Sequence, residues 1–520
     1  MRRALSIFVF LIFLGIGGMT CAYAMLTSAQ DDVSFIELAS DGDVTAADGL
    51  TISVQSHLKR HLLWNATHTF GQESNTKTDF KFSLNGYNWL SEYPREILTL
   101  YTPSDFGSST NGRDLLSDDV EASPFFDPVR AVEKILRDVA SRTENGERHT
   151  EIVYFKDYYD YYQLYATLYT EDNYYMQYTD DIEGQYITLL DFDRVSSEFN
   201  RYFRLPVSHN HQIEVNVLKD AVGNVVDLST RTIGNPFWLY ALSVSTDHGI
   251  YFTPQTGNKI EFSGNADGFG SGLDDGAEYS IDGGSGIYLL PESTIINDNG
   301  SVLPTLDFNN LHKVHSLDKM VSVLKLELSE DKSCLNLFTR EGGRVFLTVF
   351  DAATTALRQK LLLFDNANDS SLHFEQFADG LMFVLLGDSR FVLAEPNDEG
   401  LFRITLSLER ELELLGNEPP SALGYYNWRQ PLVCWSGERL ALISVNRRFV
   451  PSIGVFSDAN YDGYPTAYSY EICGFVLEIF DESGLRYRGS YESTLDVLTL
   501  QINGDERCIP AGTKGPSAHW

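Results

Sequence analysis

An all-β fold class follows from three features of the sequence: short alternating segments, tight polar turns between them, and recurrence of the whole pattern. The clearest set runs from 321 to 364. "VSVLKLELS", "CLNLFTR", "RVFLTVF" and "ALRQKLLLF" are joined by "EDKS", "EGG" and "DAATT", which reads as a four-stranded antiparallel meander. In the first strand, Leu324, Leu326 and Leu328 are expected on one face, with Lys325 and Glu327 on the other.

The layout repeats. "LHFEQFA", "LMFVLLG", "RFVLAE" and "LFRITLSL" cover 372–408, and a third set starts near 432 and ends near 491, with an insertion expected at 446–470. A spacing of roughly 50–60 residues is that of a β-propeller blade with generous loops. The expected architecture is therefore a β-propeller of stacked four-stranded meanders, with tandem β-sandwiches as the alternative. Upstream, strand candidates fall at 50–56, 78–84, 149–155, 161–169, 211–218, 237–244 and 286–290.

One helical insertion is expected at 127–144. Asp127 is placed as its N-cap and Pro128 at its first position. Val129, Val132, Ile135, Leu136 and Val139 form its apolar face, and Asn145-Gly146 follows its end.

The N-terminus reads as a signal peptide, residues 1–24. Arg2 and Arg3 precede the apolar run "ALSIFVFLIFLGIGG", and Ala22-Tyr23-Ala24 fits the small-residue cleavage rule. An uncleaved segment is the one expected route to a membrane. Residues 25–46, "MLTSAQDDVSFIELASDGDVTA", read as an acidic tether. The propeller-like domain is expected over 47–495, and 496–520 as a C-terminal closing segment.

The net charge of −34 repels phosphate backbones and anionic lipid, so no nucleic-acid partner is expected. Cys334, Cys434, Cys473 and Cys508 follow the leader with no C-x-x-C spacing, so a zinc knuckle is not indicated. Export permits a disulfide among them, and full pairing of the four allows three connectivities; isolated buried thiols are the alternative. No G-x-S-x-G or H-E-x-x-H motif is present. Paired carboxylates stay open as a route to catalysis, since their pairing is spatial.

Three stretches carry candidate sites. Eleven tyrosines lie between Tyr154 and Tyr186. Read as one strand, 161–169 places Tyr162, Leu164, Ala166 and Leu168 on a core face. Tyr161, Tyr165 and Tyr169 share the other face with Gln163 and Thr167, Tyr161 and Tyr165 being about 13 Å apart. Such rings can stack on sugar, or they can bridge core to water. "DANYDGYP" places Asp458, Asn460 and Asp462 at positions 1, 3 and 5 of a calcium loop, Gly463 at the turn and the Tyr464 carbonyl at position 7. Position 12 is Ser469 rather than Glu, so this is not an EF-hand proper. The third stretch, "SHNH", sets His209 and His211 two apart, as on one strand face.

The phrases "ADGLTISV", "HLLWNATHTFG", "TKTDFKFS" and "DYYDYY", with the leader and the blade-like units, resemble uncharacterised exported β-propeller-like proteins of Gram-positive anaerobic bacteria. The resemblance implies a fold and a location and carries no site residue. The function expected is an exported binding or sensing protein, without catalysis, whose ligand is a glycan or a peptide. A carbohydrate hydrolase or lyase with paired carboxylates is the first alternative, and a structural protein of envelope assembly the second.

Overall fold

A computed structural model describes residues 2–30, 32–58, 62–71, 74–82, 89–91, 98–101, 132–168, 198–207, 209–233, 237–258, 284–296, 302–318, 321–329, 331–367, 372–377, 380–387, 390–397, 399–409, 431–451, 468–494, 508–510 and 517–520. The chain is mostly β, in several small antiparallel sheets. It divides into a terminal unit, Met1–Pro94 with Arg410–Trp520, and a central unit, Arg95–Glu409.

In the central unit, Ser322–Leu328, Cys334–Glu341, Arg344–Asp351 and Leu357–Phe364 form one meander in sequence order, and Leu372–Gln376, Met382–Leu386, Arg390–Pro396 and Phe402–Glu409 form the next. The sheet before them contains Phe237–Thr246, Gly249–Asn258 and Gly286–Ile296, and the last of these pairs with both Val302–Leu306 and His312–Ser316.

These sheets stack through their faces. Tyr251 and Ile287 of the earlier sheet pack with Leu335, Leu337 and Phe350 of the first meander. The opposite face of that meander, with Phe338, Leu347 and Val349, packs with Phe374, Met382 and Val384 of the second. A middle sheet covered on both faces reads as near-continuous apolar runs, which is why "CLNLFTR" is buried from Cys334 to Thr339.

The simple alternation expected in Ser322–Leu328 does not hold. Val323 pairs with Thr339 and Lys325 with Phe338, so the register shifts across Leu324. The extra residue of this bulge turns Leu324 toward the second meander, while Val323, Leu326 and Leu328 face the earlier sheet.

The expected helix is present as α2, Glu133–Arg142, whereas Asp127, Pro128 and Val129 lie outside the described residues. Its face is the expected one: Val132, Ile135, Leu136 and Val139 are buried, each contributing about 1.5–3 kcal/mol. They pack with Ile213, Val215 and Val217 of the strand Gln212–Lys219.

In the terminal unit, the two ends of the chain are woven into separate sheets. Helix α1, Arg2–Gln30, leads to the strand β1, Phe35–Gly42. β1 pairs along its length with Gly484–Ser493, making a five-stranded sheet with Tyr468–Asp481, Leu440–Pro451 and Leu432–Trp435. Part of the expected insertion at 446–470 is therefore strand. At the other end, Ser517–His519 pairs with Thr51–Leu58, which continues to Leu62–Thr69 and Asn75–Phe82. Phe35, Ile52, Trp64, Ala66, Phe475, Leu477 and Tyr491 form the core between these two sheets.

The segment expected to be a tether, 25–46, is thus structured: as far as Gln30 it is the end of α1, and from Val33 onward it belongs to the fold. Ser34 and Thr494 exchange hydrogen bonds at one end of β1 (2.9 and 3.0 Å), and the Asp43 N–H donates to the Arg486 carbonyl (2.8 Å) at the other. Glu37 accepts from the hydroxyls of Tyr487 and Tyr491, both at 3.2 Å. Only Phe35 of this edge strand is buried, so its sequence has no alternation to reveal it.

Cys334 is a buried free thiol that accepts from Arg358 Nη1 at 3.4 Å. This removes it from the disulfide expectation. Cys434 is buried as well.

Candidate binding site

The tyrosine stretch does not form one strand. Tyr161–Tyr162 pairs with Leu205–Pro206, and Tyr165–Leu168 pairs with Leu98–Tyr101 in another sheet. The break is made by Asn200. Its Oδ1 accepts the Leu164 N–H (2.8 Å) and its Nδ2 donates to the Leu164 carbonyl (2.6 Å). A side-chain amide thus takes both backbone groups that a neighbouring strand would have used, and the Leu164 side chain is fully buried. The expected common face of Tyr161, Tyr165 and Tyr169 is therefore not built: Tyr161 and Tyr165 belong to different sheets, and Tyr169 lies outside the described residues.

Most of the described tyrosines serve packing. Tyr162 is buried, as expected, and its hydroxyl meets His211 Nδ1 at 2.9 Å. Phe155 lies flat on the His211 ring, 4.9 Å between centroids. Tyr159 packs on Phe155, and its hydroxyl accepts the Lys134 backbone N–H at 3.3 Å. That contact occupies an open donor in the first turn of α2, where Val132 supplies no side-chain cap. Tyr158 donates to Asp138 Oδ2 at 2.5 Å. Arg142 ties the same Asp138 (2.7 Å) to Glu151 (2.6 Å). Burial, and then the bond to Asp138, push the Tyr158 hydroxyl up to about 12. The first tyrosine pair of "DYYDYY", Tyr158 and Tyr159, is thus a clasp on the helix.

Tyr154 and Tyr161 are the exceptions. Tyr161 is 43% exposed, and the Arg204 guanidinium lies 5.6 Å from its ring centre. Arg204 reaches it because the two-residue ribbon pairs Tyr161 with Pro206. Lys156 Nζ lies 2.7 and 2.9 Å from the two ring nitrogens of His209, only one of which can accept from it, and Tyr154 is also exposed. Among the described residues, neither Arg204 nor Lys156 is paired with a carboxylate. The result is an open aromatic ring with one cationic donor, Arg204, beside it, and with Lys156 and the exposed Asp157 and Asp160 on the same stretch of chain. A ring can stack on the C–H face of a sugar or on a peptide side chain, while the charged groups take hydroxyls or carbonyls. Sequence reasoning reached Tyr161 but missed Arg204 and Lys156; the ribbon that places Arg204 is two residues long and has no periodicity.

The histidine pair is not built either. His209 is exposed in a turn, whereas His211 is buried against Phe155 and Tyr162. Among the described residues, no three metal-ligating side chains cluster. Asp458, Asn460, Asp462 and Tyr464 lie outside the described residues.

Burial lowers the imidazole of His211 to about 4, and does the same to His68 in the terminal unit. Each is 4% exposed or less. Unfolded histidine takes its proton near pH 6.5, so the unfolded chain binds more protons between that pH and about 4. Stability therefore rises with pH through this window and is lost as pH falls through it, by roughly 3 kcal/mol per histidine. Denaturant unfolding at pH 7 and pH 4.5 is expected to show this loss, and His211→Gln to reduce it. A midpoint unchanged between those pH values would contradict the assignment.

No family model matches the chain, and no curated protein matches it. Among solved structures, a putative 6-phosphogluconolactonase from Bacteroides uniformis ATCC 8492 is 11% identical, with 52% of this chain and 85% of that one covered and a TM-score of 0.20. A second putative 6-phosphogluconolactonase, from Bacteroides fragilis NCTC 9343, is 12% identical over 71% of this chain and 98% of that one, with a TM-score of 0.19. A luciferin-regenerating enzyme is 10% identical over 57% and 89%, with a TM-score of 0.16. Likeness at this level identifies neither a fold nor an activity.

Proposed function

We propose that the chain is an exported, extracytoplasmic binding protein of β-propeller type, which holds a glycan or peptide without catalysis. The observation that carries the binding reading is Tyr161: its ring is open, with the Arg204 guanidinium beside it, while Tyr158, Tyr159 and Tyr162 are taken up by packing. The propeller reading draws on the meander from Ser322 to Phe364, which buries both of its faces against neighbouring sheets. A two-layer sandwich needs only one inner face per sheet. Export draws on the apolar helix α1, and on the resemblance to exported proteins of Gram-positive anaerobes. Asp458, Asn460, Asp462 and the Tyr464 carbonyl are proposed as a calcium loop, on their spacing alone.

Thermal melting with calcium, with chelator, and across a panel of glycans and peptides tests these readings together. A ligand at a hundred times its Kd stabilises by about 2.7 kcal/mol, enough to raise the midpoint by several degrees. A midpoint unmoved by chelation removes the calcium loop, and one unmoved by every panel member removes the binding reading for those ligand classes.

A further inference from the structure

The helix α1 does not end at the expected cleavage site. It runs unbroken through Ala22-Tyr23-Ala24 to Gln30, and its last turns touch the terminal unit. The Tyr23 ring meets Phe80 edge-on at 5.4 Å. Leu26 and Ala29 pack on the core that contains Phe35 and Trp64. Val33, three residues beyond the helix, is already buried. The segment on either side of Ala24 is thus part of the folded unit.

The rest of α1 has the character of a membrane span. Phe13, Leu14, Ile16 and Met19 are all more than half exposed, and among the described residues none covers them. The hydroxyl of Thr20 donates to the Ile16 carbonyl (2.8 Å), so it is satisfied within the helix, as hydrocarbon demands. About 20 residues cross a bilayer core of about 30 Å. In a helix of 29 residues that leaves about two turns over, which matches the stretch from Tyr23 to Gln30 that lies on the sheet. Arg2 and Arg3 precede the apolar run, and Asp31 and Asp32 follow the helix. This charge order sets the N-terminus inside and the fold outside, with Tyr23 at the level of the interface.

From this we infer that α1 is retained as a membrane anchor, and that its last two turns dock on the terminal unit to hold that unit at the outer face of a lipid bilayer. The inference rests on the export reading above and replaces the expected cleavage after Ala24.

The test is expression of the full chain in an exporting host, with a C-terminal phosphatase reporter that is active only outside the cytoplasm. An active reporter on a chain of uncleaved mass, kept in the membrane pellet after an alkaline carbonate wash, is the expected result. An active reporter on a soluble chain that starts at Met25 overturns the anchor and leaves export standing. An inactive reporter overturns export, and the proposed orientation with it. Docking has its own readout. In detergent, the full chain carrying Tyr23→Ala and Leu26→Asp is expected to melt roughly 2–4 °C lower while staying in the membrane fraction. An unchanged melt overturns the docked turns.

Discussion

Replacing Arg488 with alanine is expected to cost the terminal unit about 3–5 kcal/mol, a large fraction of the roughly 5–15 kcal/mol that holds a typical domain folded. Arg488 and Glu478 are direct cross-strand partners on Gly484–Ser493 and Tyr468–Asp481. Both side chains are almost wholly buried, at 7% and 2% exposure, and the guanidinium holds Glu478 Oε1 through Nε (2.9 Å) and Nη2 (2.8 Å). Desolvating two charges costs about as much as their attraction returns, so the pair adds little net stability. Removing one partner is different, because it takes this ion pair from a charge that stays buried. The double replacement Glu478→Leu with Arg488→Met is accordingly expected to cost far less than Arg488→Ala. Chemical denaturation of the three variants distinguishes these cases. A double variant as unstable as the single one would show that some other contact of these side chains dominates.

Gly474→Ala is expected to be as damaging, for a steric reason. A Cβ at this position would sit 1.8 Å from the Tyr491 carbonyl oxygen on the adjacent strand. The ladder is already irregular there: Asn446 pairs with Gly474 and Arg447 with Ile472, which leaves Cys473 as the extra residue of a bulge. The bulge presses the strand toward Gly484–Ser493, and only glycine allows that approach. Relief would require separating two paired strands under the core of the unit, at a cost of at least about 3 kcal/mol. Gly437, in a turn with open space around it, is not a matched control because its φ is +94°; Gly71→Ala, with open space and no such constraint, is. Equal denaturation midpoints for Gly474→Ala and Gly71→Ala would refute the close-packing argument.

Much of this architecture was legible in sequence, and the parts that were not have physical causes. The meanders from Ser322 and from Leu372 show themselves through short apolar runs with polar turns, because consecutive strands pair with one another. The apolar face of α2 shows itself through its period. Readability fails wherever a distant residue intervenes. Asn200 breaks the strand at Leu164 from 36 positions away, and no pattern near Tyr161 announces it. β1 borrows its partner from the far end of the chain, and an edge strand with one buried side chain resembles a tether. At Leu324 a single bulge residue reverses the alternation. The candidate site shows the same division. Alternation correctly assigned Tyr162 to the core, whereas Tyr161 is set apart from Tyr165 by tertiary contacts, and Arg204 joins it only through the ribbon.

The proposed binding face is the open ring of Tyr161 beside Arg204. The direct test is calorimetric titration of the wild type and of Tyr161→Ala with the best ligand from the glycan and peptide panel. The substitution is expected to weaken binding tenfold or more, about 1.4 kcal/mol, with the melting midpoint of the free protein unchanged because the ring covers no core. Equal affinity for the two proteins would contradict the claim.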